Sequence, residues 1–271
     1  MNSLIRTAVA ALAAAATLAT LATAGAAEAK LRVLVLSGSN NHDWKQTTPV
    51  IKAVLEETGR FTVDVTEDVP NLKPDAFAPY AVILSNYNDF GKNPPVSLSP
   101  ATKQAFLDHL AKGHGFLALH AGSSVFYDWP EFQTYCCGTW KDGTSHGAIH
   151  VNEVTFSGAK SPITEGLKPF WIRDEFWQEI HVAPGVKSHA TVTPDPKSNG
   201  SGKPEMILFT IETGGGRGCG YFLGHGTTTM KNTAWQTLLQ RAVEWTATGK
   251  VTLPPAKDWP ATKADAERMM K

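Results

Sequence analysis

The residue types in this chain that could do chemistry fall just after its apolar runs. Asn41-His42-Asp43-Trp44 follows the first run, Asn86-Tyr87-Asn88-Asp89 follows a later one, His120 closes "FLALH", and Gly224-His225-Gly226 follows "CGYFL". A fifth cluster, Asp174-Glu175, lies in "RDEFW". Imidazoles that titrate at about 6.5 serve as general acid and base near neutral pH. Together with a carboxylate they can also hold a divalent ion that polarises a carbonyl or activates water. His120 and His225 stand out because each is followed by a glycine-containing turn, where backbone approaches a ligand closely.

Each of these residues also has a plainer reading. The chain has nine histidines, and His109 on a helix face, His114 just after it and His189 inside a strand read as hydrogen-bonded structural residues. Glu175 could pair with Arg173 or a lysine at the surface instead of serving a site. Trp44 could stack on a sugar ring or cover the sheet edge. Cys136-Cys137 with His146 and His150 invites a zinc site, but adjacent cysteines lack the two-residue spacer of a structural one. "GSNNHDW" is not a phosphate-cradling loop, and "ETGGGRGCG" lacks the strand–turn–helix context of a dinucleotide site and reads as a hairpin turn.

The elements that must position these residues alternate. "LRVLVL" reads as a strand buried on both faces, followed by a helix capped at Thr48 with Pro49 at its first position and stopped at Gly59. "FTVDV" and "YAVILSNYND" supply the next strands, and a helix capped at Ser99 and ended by Gly113 leads into "FLALH". Buried strands alternating with amphipathic helices predict a parallel sheet with helices on both faces. Ligands bind such sheets at the carboxyl ends of the strands, where the clusters fall. The middle third, with "AIHVNEVTF", "KPFWIRDEFW" and "KSHATVTPD", reads as an inserted, mostly extended region. A hairpin from "EMILFTIE" through "CGYFL" and a last helix ending at Gly249 follow, and the tail from 251 to 271 reads as a strap over the surface.

Residues 1–29 have a short polar start with Arg6, an Ala/Leu-rich core and small-x-small sites, the layout of a cleaved secretory signal. The expected location is therefore periplasmic or secreted, with no stable membrane anchor. Acidic and basic residues balance at 25 each, and no basic stripe with interleaved aromatics suggests a nucleic-acid partner. A small neutral or polar ligand fits better. Of the three cysteines, Cys219 could bridge Cys136 or Cys137, or all three could be buried free thiols.

From Leu31 to Gly249 the ordered set "HDW", "GHGFLALHAG", "WPEF", "SHG", "SPITEGL", "IRDEFW", "GYFLGHG" and "LLQRAVEW" resembles the trehalose-utilisation, or ThuA-like, family. The resemblance implies a flavodoxin-like fold similar to class I glutamine amidotransferases, with residues 30–250 forming the ThuA-like domain. It places His120 at the elbow where an amidotransferase carries its nucleophilic Cys, and His225 after the strand that carries the amidotransferase His. Without that Cys, glutamine hydrolysis lacks its nucleophile. The implied activity is a lyase or hydrolase on a glycoside, a 3-keto-glycoside or a disaccharide such as a trehalose derivative. His120, His225 and Glu175 would be catalytic, with His42, Asp43, Trp44, Asn86 and His146 shaping or ligating the site and one divalent metal ion as a possible cofactor. The alternative is a periplasmic carbohydrate-binding protein that keeps the pocket without turnover.

Overall fold

The computed structural model describes residues 29–156 and 159–271. The signal read over residues 1–29 lies outside the described residues except for its last position. In chain order the elements are β1 (Leu31–Leu36), α1 (Trp44–Glu56), β2 (Phe61–Thr66), β3 (Val82–Ser85), α2 (Pro100–Ala111), β4 (Gly115–Leu119) and α3 (Pro130–Tyr135). The middle third adds β5 (Gly138–Thr139), β6 (Ser145–His146), β7 (His150–Phe156), β8 (Phe170–Asp174), β9 (Trp177–Gln178), β10 (His181–Val182) and β11 (Lys187–Val192). It closes with β12 (Glu205–Thr213), β13 (Gly216–Tyr221), α4 (Thr227–Met230), α5 (Thr233–Thr248) and α6 (Lys263–Met269).

Among the described residues, the large sheet has the order β2-β1-β3-β4-β13-β12-β11-β7-β8. Its first five strands are parallel and run in the flavodoxin-like order. The other four are antiparallel to their neighbours. Alternation along β1 explains the two layers of helices. Val33 and Val35 join Ile51, Leu55, Trp235 and Leu239 on the face covered by α1 and α5. Leu34 and Leu36 join Phe106, Leu110, Phe116 and Phe132 on the face covered by α2 and α3. Both faces of each central strand are buried, so these strands read as continuous apolar runs.

The structure refines the sequence expectations in three places. The first helix begins at Trp44, with Asp43 as its cap accepting from the Gln46 N–H. The Thr48 hydroxyl is instead bonded to Ser37 and to the Asn86 side-chain amide. Pro49 therefore lies inside α1, at an exposed position where water can reach the carbonyl it leaves unpaired. The middle third is mostly extended, as expected, and its β7, β8 and β11 continue the main sheet. The tail is more than a strap: α6 begins with a capping box at Thr262 and Asp265 and packs against β8 and β7. Buried Glu244 of α5 anchors the approach to α6 by accepting from the Thr252 and Leu253 N–H groups and the Thr252 hydroxyl.

The three cysteines are buried free thiols, and burial pushes all three thiol pKa values up. No helix among the described residues is long and apolar enough to cross a membrane. His189 is structural, bonded to the Thr210 hydroxyl and the Ala159 carbonyl. His109 stacks on His114 at 4.2 Å, on the α2 side of the sheet. Burial, reinforced by His114 and Lys112, lowers the His109 pKa to about 4. The unfolded chain therefore takes up this proton first, near pH 6.5, and the stabilisation is lost as pH falls from there toward 4. Urea titrations at pH 7 and pH 5 should show a lower midpoint at pH 5, and His109→Phe should narrow that difference.

Candidate active site

The candidate site is built at the carboxyl ends of the parallel strands, where the chain must leave the sheet. At the end of β4, His120 turns sharply with φ 44° into a short 3-10 turn, His120–Ser123. This left-handed conformation is uncommon for a residue with a side chain, and such strain concentrates at functional sites. The small residues that follow have a steric reason. A Cβ on Gly122 would lie 1.9 Å from the Ser85 carbonyl oxygen, so the turn can pack on the end of β3 only with glycine there. The turn aims the His120 ring into the site. Its Nδ1 lies 3.1 Å from the Phe222 carbonyl, which assigns the proton to Nδ1 and leaves the Nε2 lone pair free. Buried Nε2 has no hydrogen-bond partner.

Opposite His120 stands Glu175, immediately after β8. Its Oε1 accepts from the Trp177 indole N–H at 2.8 Å and lies 3.6 Å from His120 Nε2. Its Oε2 lies 3.4 Å from His146 Nδ1 and 3.4 Å from His225 Nε2. His42 completes the group, with its ring centroid 4.4 Å from that of His225 and 4.9 Å from that of His120. Burial, followed by the neighbouring His225 and His146, lowers His42 to about 4. Burial also pushes His120 well below its ordinary value. Both imidazoles are therefore neutral at pH 7. Donor atoms of His42, His120 and Glu175 all lie within 4.8 Å of one another, two histidines and a carboxylate that suit a divalent metal with open positions.

Asp174, beside Glu175, has a different task. Its buried carboxylate accepts from the N–H groups of Gly224 (2.6 Å), His225 (3.1 Å) and Glu175 (2.9 Å), and from the Thr229 hydroxyl (2.9 Å). It thereby fixes the 224–225 loop against β8. Burial raises its pKa to about 7, and the four donors pull in the opposite direction.

The structure thus brings together His120, His225, Glu175, His42 and His146 and leaves three expected residues outside. Asp43 is exposed and caps α1. Trp44 begins α1, with the Lys45 amine over its ring, and does not line the pocket. Asn86 is buried and spends its amide on the Thr47 and Thr48 hydroxyls, tying β3 to α1. Glu175 turns to histidines instead of Arg173, and neither Cys136 nor Cys137 joins His146 or His150 in a metal-binding group. The aromatic lining comes from Phe90, Trp140 and Trp177. Of these, Trp177 belongs to a motif whose rings could have been read as sugar platforms; Phe90 and Trp140 sit in loops with no such signal.

Fold and site together define a flavodoxin-like α/β protein whose strand-to-turn elbow carries a histidine facing a buried glutamate. The chain belongs to the ThuA family, described as trehalose utilisation, whose model matches residues 32–246. That membership points to a carbohydrate-related role. A ThuA-like protein of Parabacteroides merdae is 29% identical with a TM-score of 0.76, covering 87% of this chain and 96% of that one. A ThuA-like protein of Bacteroides uniformis, 18% identical with a TM-score of 0.61, covers 85% of this chain and 96% of its own. A cytoplasmic protein of Salmonella typhimurium shares the fold at 12% identity and a TM-score of 0.59, covering 80% and 99%. No curated protein is similar enough to match the chain.

Replacing Asp174 with Asn keeps the size but puts an amide nitrogen where a carboxylate oxygen accepts. Asp174→Asn should cost about 1.5–3 kcal/mol in urea-induced unfolding, the range for hydrogen bonds to a charged group.

Proposed function

We propose that this chain is a metal-assisted enzyme that cleaves a glycoside whose sugar carries a ketone beside the carbon bearing the acidic C–H. The observation that carries this reading is a buried carboxylate, Glu175, facing three imidazoles at 3.4–3.6 Å while two of the site's imidazoles are held neutral. A buried carboxylate needs hydrogen-bond donors or a cation, and where Asp174 has four donors Glu175 has the Trp177 indole N–H and a ring of imidazoles. Neutral His42 and His120 cannot supply the charge, but their lone pairs can bind the ion that does. His42, His120 and Glu175 would hold that ion, which when bound supplies a Lewis acid for the ketone oxygen.

The remaining groups account for the protons. His225, half-buried, takes the proton from the carbon between the ketone and the anomeric centre. The C–H electron pair becomes the C=C bond, and the bond from the anomeric carbon to the leaving oxygen breaks with its pair on that oxygen. His146, exposed at the rim, returns a proton to that oxygen. The product is an unsaturated keto sugar and a free alcohol, and addition of water across the double bond completes hydrolysis. Ordinary glycosidases use two carboxylates. Here the neighbouring carboxylate, Asp174, is committed to four donors, so elimination suits the site better than paired-carboxylate hydrolysis.

Elemental analysis of protein purified without chelators should find about one divalent ion per chain, lost in His42→Ala and His120→Ala and kept in His225→Ala. Turnover of a 3-keto disaccharide should fall roughly 10²-fold or more in His225→Ala. Full turnover in a His120→Ala/His225→Ala double variant would overturn the proposal. A stoichiometric sugar complex without product would establish the non-catalytic binding protein instead. We also propose that residues 1–29 are a cleaved signal. Mass spectrometry of protein from the periplasm or medium should find an N-terminus near Lys30, and an intact Met1 start there would refute this.

A further inference from the structure

Resting on the reading of the site as a glycoside pocket, we infer that the groove outside it is a second sugar subsite, built for a neutral pyranose joined to the ring in the inner pocket. The inner pocket is small, about 110 Å³, and is lined by His42, His146, Glu175 and Trp177 among others. Ligand sites commonly span about 300–1,000 Å³, so this cup holds only the reacting end of its ligand. Directly outside is a cavity of about 750 Å³, and the two share Phe90 and Trp140 as common wall.

The character of the groove indicates what fills it. Phe90 is 50% exposed and Tyr127 is 40% exposed, two of the four exposed large apolar side chains among the described residues. Both open into this one cavity. Phe90 meets Trp140 edge-to-face at 6.4 Å, and Trp140 meets Trp177 at 5.0 Å, so one aromatic wall runs from the groove to the ring that contacts His120. Tyr127 donates its hydroxyl to the Trp140 carbonyl and fixes the loop that carries the shared wall. Around the aromatics, Lys92 and Lys141 are balanced by Asp89 and Asp142. Aromatic faces suit the C–H face of a pyranose, and a ring of balanced polar groups suits its hydroxyls without selecting a charged ligand.

Phe90, on the wall common to both cavities, is therefore a specificity residue for the second sugar. Its role is readable by binding, without turnover. Titration calorimetry of the full chain with trehalose, maltose and glucose should show at least one disaccharide binding about tenfold tighter than glucose, the worth of roughly 50–60 Å² of covered apolar surface. Phe90→Ala should remove that advantage. Val65→Ala, at an exposed apolar residue on β2, should keep it. Equal affinity for disaccharides and glucose in the wild type, or an advantage untouched by Phe90→Ala, would overturn the subsite. A disaccharide advantage that depends on Phe90, in a protein that turns over no keto-glycoside, would uphold the subsite and refute only the catalytic reading.

Discussion

The site depends on one buried carboxylate that does no chemistry. Asp174 gathers the N–H groups of Gly224, His225 and Glu175 and the hydroxyl of Thr229 onto two oxygens. Those donors come from two stretches more than forty residues apart in sequence, the end of β8 and the loop after β13 with the short α4 that follows it. Between the two strands lie β12, β11 and β7, so neighbouring-strand hydrogen bonds cannot set their spacing. A single acceptor shared by both ends does so, holding the His225 backbone and the Glu175 backbone on one group. Charge-assisted hydrogen bonds, which are stronger than neutral ones, offset part of the cost of burying the charge.

Within that frame the electrostatics are set by burial more than by charge pairing. His120 lies under the pocket floor and His42 is half-covered by two other rings, so both stay uncharged at neutral pH. The strained turn at His120 presents the Nε2 lone pair to the site, and the Cys137 thiol is buried with its hydrogen directed at the Tyr135 carbonyl.

Much of this was legible in the sequence, for specific reasons. Continuous Val/Leu runs and Ser99-Pro100 identified strands and a helix start because burial and capping leave strong local patterns. His42, His120 and His225 were legible together because a flavodoxin-like sheet sends the exits of its parallel strands toward one end, whereas Glu175 and His146 were joined to them through the family resemblance. Asp43, Trp44 and Asn86 sit at that same end, yet their side chains serve α1. Position after a strand does not reveal direction, and a helix N-terminus competes for such residues. The antiparallel half was harder to read because β7 and β11 are half-polar. Without helices between them, nothing local distinguishes a sheet extension from a separate insertion.

β8 is the last strand of the sheet, so Asp174 and Glu175 are carried at its margin. An outer strand ordinarily exposes unpaired backbone groups that invite another chain. Here the Trp171 N–H is taken by the Pro260 carbonyl, the Trp259 indole reaches the Pro169 carbonyl, and α6 closes over the strand. The segment from Thr252 to Met269 thus works as a selvedge, finishing the sheet so that its outermost thread cannot fray or be picked up by a neighbour. A protein of this design draws the stiffness of its reaction centre from residues that never approach the ligand, and solubility and site geometry become one property of the same edge.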